Sequence, residues 1–132
     1  MTKWTDEAIV EWHKKAFPNA TLETQLKKVE DELQEMQDAI DKFLKDKTSS
    51  DDPIEEVADV YIASVVLAVR FNSMVGALVY NIHIKSISEL MIKSADSAGA
   101  VLKAVDAKMD KNAKRTWHET TPGYYQHVET VQ

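Results

Sequence analysis

The sequence predicts an all-α domain, a bundle of four to five helices, and three observations carry that prediction. The 132 residues include only three glycines and three prolines, so the chain is rarely punctuated. No window alternates apolar and polar residues with period two between turn residues, as a half-buried strand would. Between Leu22 and Phe43 the apolar residues Leu22, Leu26, Val29, Leu33, Met36, Ile40 and Phe43 recur at intervals of four and three. That spacing is the seam of a helix lying nearly parallel to its neighbours.

Taken in order, residues 1–20 supply an N-terminal helix and turn: Thr5 caps a helix opened by Asp6 and Glu7, and Pro18 and Asn19 break it after Phe17. Thr21 caps the long seam helix, which is expected to end near Lys47. The polar stretch KTSSDDP follows, and Asp52 before Pro53 fits an N-cap with proline in the first turn of a third helix. This helix is apolar almost all round and is expected to pass Arg70, with a break near Gly76. A further helix is expected from Ser86 to Trp117, with a kink near Gly99, and residues 118–132 are expected to form an irregular tail. The whole chain, 1–132, reads as a single domain of ordinary size.

Composition narrows the function classes. Asp and Glu number 22 against 16 Lys and Arg, a formal charge of −6, so no nucleic acid polymer is expected as a partner. Anions must be held locally, by a metal or a few aimed basic groups. With no cysteine, disulfides and thiolate metal sites are excluded. The start MTKWTDEAIVEW lacks a basic region followed by an apolar run, so no signal peptide is expected and the protein is read as cytoplasmic. The stretch from Val60 to Ile84 is apolar enough to test against the roughly 20 residues of a membrane span, but Arg70, Asn72, Asn81 and His83 interrupt it. No membrane partner is expected; a helix buried in a bundle or between subunits is, and the apolar run from Val57 to Val79 points to a homodimer or homotetramer.

Five carboxylates fall between Lys28 and Ile40. At about 100° per residue, Glu32 and Glu35 flank one edge of the seam, Glu30 and Asp41 lie towards the other, and Asp31 and Asp38 project away. The third helix carries a second i,i+3 pair, Glu56 and Asp59, sharing a face with Ala63 and Arg70. Burying unpaired carboxylates is costly enough that they protonate or acquire a cation. If the two helices pack antiparallel, four carboxylates converge with no obvious lysine inside either motif. Oxygen ligands in that number suit Mg²⁺ or a similar hard cation. The plainer account is that acids gather in helix N-terminal turns, where the dipole favours them, and from spacing alone that account ranks first.

Combined, the two pairs read Asp31, Glu32, Leu33, Gln34, Glu35, then, after a spacer of twenty residues, Glu56, Val57, Ala58, Asp59. This resembles the EExxE, spacer, ExxD signature of the MazG-like all-α nucleoside triphosphate pyrophosphohydrolases, with Asp31 departing from the first glutamate. The flanks LKKVEDELQEMQDAI and IEEVADVYIASVV are similar to that family's two central helices. The resemblance implies an often oligomeric helical bundle in which Glu32, Glu35, Glu56 and Asp59 bind Mg²⁺ or Mn²⁺, with more than one ion per site. The activity implied is hydrolysis of a nucleoside triphosphate to the monophosphate and pyrophosphate.

Downstream, KMDKNAKRTWHETTPGYYQHV resembles the KxxxNxxRxW segment, followed by glycine and histidine, of the phage dATP/dGTP pyrophosphohydrolase (MazZ-like) branch. Lys108, Asn112 and Arg115 stand at i, i+4 and i+7 on one helix face, suited to gripping a triphosphate; an ordinary solvated basic face is the competing account. The resemblance adds Trp117 and His127 to the substrate site, although a core or interface role for Trp117 and a structural role for His127 fit equally. Trp12 and Phe17 border either a base pocket or the second helix, and Met36, Met74 and Met109 are assigned to packing. Mg²⁺- or Mn²⁺-dependent pyrophosphohydrolysis of dGTP or dATP is the expectation. The alternatives are action on dCTP, dUTP or another nucleotide, or a non-catalytic helical interaction protein.

Overall fold

The structure, a computed structural model, describes residues 3–45, 53–72 and 97–127. Among them are four α-helices: α1 (Asp6–Ala16), α2 (Leu22–Lys45), α3 (Ile54–Val65) and α4 (Ser97–Lys114). A π-helical segment, Val66–Arg70, continues α3, and a hairpin of β1 (Trp117–Thr121) and β2 (Tyr124–His127) follows α4. The described part is thus mostly helical, as expected. The third helix is expected to pass Arg70, but its helical run ends there, at Phe71, and Asn72 turns away with φ 44°; Gly76, the helix start at Ser86 and the packing of Met74 fall outside the described residues.

Local chemistry explains the boundaries. Thr5 caps α1 by accepting from the Ala8 amide at 3.1 Å. Thr21 and Thr24 cap α2 reciprocally, each hydroxyl accepting from the other's amide, at 3.1 and 2.8 Å, a capping box with threonine in the usual Glu/Gln place. At α3 the N-cap position is held by Pro53 itself, with no side-chain cap, and Asp52 lies outside the described residues.

α3 is the central element. Val57, Ala58, Val60, Ile62, Ala63, Ser64 and Val65 are all buried along it, as a helix apolar all round requires. One side of α3 meets Ile9 of α1 and Val101, Val105 and Met109 of α4; Ala63 and, beyond it, Leu67 meet Val29 of α2. Each of the Val, Leu, Ile and Met side chains contributes about 1.5–3 kcal/mol by leaving water. Along the α2 seam Val29 is fully covered, whereas Leu22 and Phe43 at its two ends are exposed among the described residues.

Two expectations fail at the C-terminal end. The last helix stops at Lys114 rather than Trp117, and the segment expected to be an irregular tail contains an antiparallel hairpin, with Trp117 opposite His127 and Glu119 opposite Tyr125. The cause is local: Pro122 and Gly123 form the turn, and Trp, Thr and Tyr on either side favour extended backbone. Gly123 adopts φ +78°, and a Cβ there would stand 2.7 Å from the Asn19 carbonyl, so glycine is needed for both conformation and space. Its amide donates to Glu119 at 2.7 Å, while Asn19 donates to the other Glu119 oxygen at 3.2 Å, tying the hairpin to the α1–α2 turn.

Candidate metal centre

α2 and α3 pack so that their two i,i+3 acid pairs meet. Carboxylate oxygens of Glu32, Glu35 and Glu56 lie within 4.8 Å of one another. Asp59 stands outside that group and pairs with Lys108 at 3.3 Å, where both side chains are at most 15% exposed. Glu32 pairs with Lys28 one turn earlier, at 3.6 Å. Neither motif contains a lysine, and the partners come from outside them: Lys108 from α4, and Lys28 four residues before Glu32, a spacing that brings side chains together on any helix.

The electrostatics are those of carboxylates crowded out of water. Burial, reinforced by the charge of Asp59, pushes the Glu32 carboxyl up to about 8. Burial and then Asp59 raise Glu56 as well, and burial raises Asp59 against the opposing pull of Lys108. Glu32 Oε2 and Glu56 Oε2 are buried without a hydrogen-bond partner. Leaving such acceptors unsatisfied costs roughly 1–3 kcal/mol each, and a cation would satisfy both.

α4 brings the remaining groups. Val101, Val105, Met109 and Asn112 form its covered face, so Lys108 and Arg115 flank a buried amide. Asn112 Oδ1 accepts from the Arg115 guanidinium at 3.4 Å, and its backbone carbonyl accepts from the Trp117 indole at 3.0 Å. Trp117 makes edge contacts with Trp12, Phe17 and His127, and Phe17 stacks on Tyr125 at 4.7 Å. All nine residues singled out in the sequence, Glu32, Glu35, Glu56, Asp59, Lys108, Asn112, Arg115, Trp117 and His127, line a single cleft of about 590 Å³.

Several contacts in and around the cleft have no signal in the sequence. Asp31, placed on the outward side of α2, accepts a hydrogen bond from the Tyr124 hydroxyl and fastens the hairpin. Burial, then this bond, raises the Tyr124 phenol above its ordinary range. His13 and Gln25, both covered, lie on the cleft wall. Gln25 donates to the Ala63 carbonyl at 2.9 Å. Arg70 lies 2.6 Å from His13 Nδ1 and donates to the Phe17 carbonyl at 2.9 Å. Because arginine only donates, the His13 proton resides on Nε2; burial, then the Arg70 charge, hold this imidazole neutral with a pKa of about 3.

Compared with protein-family models, curated proteins and solved structures, the chain gives no match.

Proposed function

We propose that the protein is a divalent-metal-dependent nucleoside triphosphate pyrophosphohydrolase of the MazG-like type. The observation that carries this reading is the convergence of α2 and α3 acids with α4 cations and hairpin aromatics on one cleft, from segments far apart in the chain. The donor set fits a hard cation: every candidate ligand is a carboxylate oxygen, and two of those oxygens are buried and unpartnered. Mg²⁺ or Mn²⁺, more than one ion per site, held by Glu32, Glu35, Glu56 and Asp59, would offset phosphate charge and lower the pKa of water enough to furnish a nucleophile.

The protein's own groups do the rest. Arg115, oriented by Asn112, grips phosphate oxygens as a planar fork, and Lys108 adds a point charge. Trp117 and His127, with Trp12 and Phe17 behind, offer ring faces and edges to a planar base. Water attacks the α-phosphorus, the bond to the bridging oxygen breaks, and pyrophosphate leaves while a carboxylate of the cluster takes the proton. A purine deoxynucleotide, dGTP or dATP, is the proposed substrate, with dCTP, dUTP or another nucleotide as the alternative. The active form is proposed to be a homodimer or homotetramer, in keeping with Leu22, Phe43, Leu44, Val69 and Leu102 exposed among the described residues.

A panel of nucleoside triphosphates assayed for pyrophosphate with Mg²⁺ or Mn²⁺ tests class, metal and base together. Release from dGTP or dATP supports the proposal; no pyrophosphate from any nucleotide favours a non-catalytic interaction protein.

A further inference from the structure

Two ammonium groups stand where the acid cluster meets the cleft. Lys28 Nζ lies 3.6 Å from Glu32 Oε1, and Lys108 Nζ lies 3.3 Å from Asp59 Oδ2. Glu32 and Lys108 are each 13% exposed, Asp59 15% and Lys28 28%, so these are partly desolvated pairs. Both lysines line the cleft.

The compensation they provide is incomplete. Lys28 engages one oxygen of Glu32 and leaves Oε2 without a partner, and Glu56 Oε2 is likewise unpartnered. Asp59, the one candidate ligand outside the close carboxylate group, is the one held by Lys108. From the same position the Lys28 ammonium also lies 5.4 Å from the centre of the Tyr124 ring, so loss of Glu32 would not leave it without a neighbour.

We propose that Lys28 and Lys108 are resident counter-ions which a divalent cation displaces, freeing Glu32 and Asp59 for ligation and turning both ammonium groups towards a phosphate-bearing anion in the cleft. This rests on the metal-centre reading above. A lysine is a monovalent point charge on a flexible stem, so it loses a carboxylate cluster to a divalent ion without backbone movement. The same exchange places two fresh cations beside the anion, so metal and phosphate binding reinforce each other. Lys28 thereby becomes a substrate-positioning residue alongside Lys108.

The test measures Mn²⁺ binding calorimetrically, without nucleotide, to the intact chain and to Lys28→Met, Lys108→Met and Lys27→Met. Lys27 is the charge-matched control, because its ammonium lies over the Tyr124 ring at 4.5 Å. Roughly fivefold tighter Mn²⁺ binding is expected in each of the first two variants, the value of a lost ion pair, and a change under about twofold in the third. Inorganic triphosphate, titrated at saturating Mn²⁺, should bind more weakly to Lys28→Met and Lys108→Met than to Lys27→Met. Equal Mn²⁺ shifts in all three variants would mean net charge alone and overturn the exchange, leaving the metal centre standing. No Mn²⁺ binding by the parent chain would overturn the metal centre and the exchange with it. If Lys108→Met does not fold, Lys28→Met decides the matter by itself.

Discussion

Tyr124 donates its hydroxyl hydrogen bond to Asp31, joining the first residue of β2 to α2 at the position immediately before Glu32. The hairpin wall of the cleft is therefore anchored to the helix that bears two of the candidate metal ligands. Tyr124→Phe removes only this bond and should cost about 1.5–3 kcal/mol, the range for a hydrogen bond to a charged acceptor. Chemical denaturation monitored by circular dichroism measures it, and an unchanged midpoint would show that the hairpin is held by its aromatic contacts instead.

The acid cluster sets a pH dependence whose sign is fixed. A carboxyl raised from 4.5 to about 8, as in Glu32, keeps its proton in the folded chain after the unfolded chain has lost it. Stability therefore falls as pH rises through that window. His13 acts oppositely: lowered from 6.5 to about 3, it contributes stability that is lost as pH falls through the same range. The two oppose each other between pH 4.5 and 6.5, and only the carboxyl effect persists from there to about 8. Urea denaturation across pH 6.5–8 should show declining stability in the parent chain, and a flatter profile in Glu32→Gln or with Mg²⁺ added.

Glu56→Gln separates stability from function. It replaces a carboxylate having one buried, unpartnered oxygen with a neutral amide, so the metal-free chain should melt higher than the parent. The same change should abolish Mg²⁺-dependent pyrophosphate release. Scanning calorimetry and a pyrophosphate assay read the two effects; undiminished turnover would remove Glu56 from the site.

Arg70 holds the end of α1. Its guanidinium contacts His13 Nδ1 and donates to the carbonyls of His13 and Phe17. Arg70→Met leaves His13 Nδ1 without its donor, while the two carbonyls keep the Phe17 and Ala20 amides at 2.8 and 3.2 Å, and should cost about 1–3 kcal/mol. Removing the charge should also let the His13 pKa rise from its depressed value, a shift visible in imidazole NMR titration.

How far the sequence foretold this arrangement depends on the range of the interaction. The α2 seam, the caps at Thr5 and Thr21 and the all-round apolar α3 are written in spacings of four residues or fewer, and they are legible. The positions of Glu32, Glu35 and Glu56 followed because both helices are regular there and their facing edges could be computed. Lys28 is equally legible, one turn before Glu32 at the i,i+4 spacing. The hairpin was missed because a single Pro-Gly turn flanked by short strands gives little periodicity, although Thr, Trp and Tyr around it were a usable signal. Asp31 with Tyr124, and His13 with Arg70, join residues 93 and 57 positions apart, and no local pattern announces such pairs.

The π-helical segment from Val66 to Arg70 has a consequence for chain length. Its i→i+5 pattern gives that turn one residue more than an α-turn holds, which shifts the angular phase of its own C-terminal end. An ideal α-helix would leave Arg70 near the azimuth of Glu56 and Asp59; the surplus residue carries it round to α1. Deleting one residue between Val66 and Val69 would thus preserve helicity and composition almost unchanged while uncoupling Arg70 from His13 and Phe17. In this protein a shortening by a single residue, at a place remote from the acids, would be felt as a rotation.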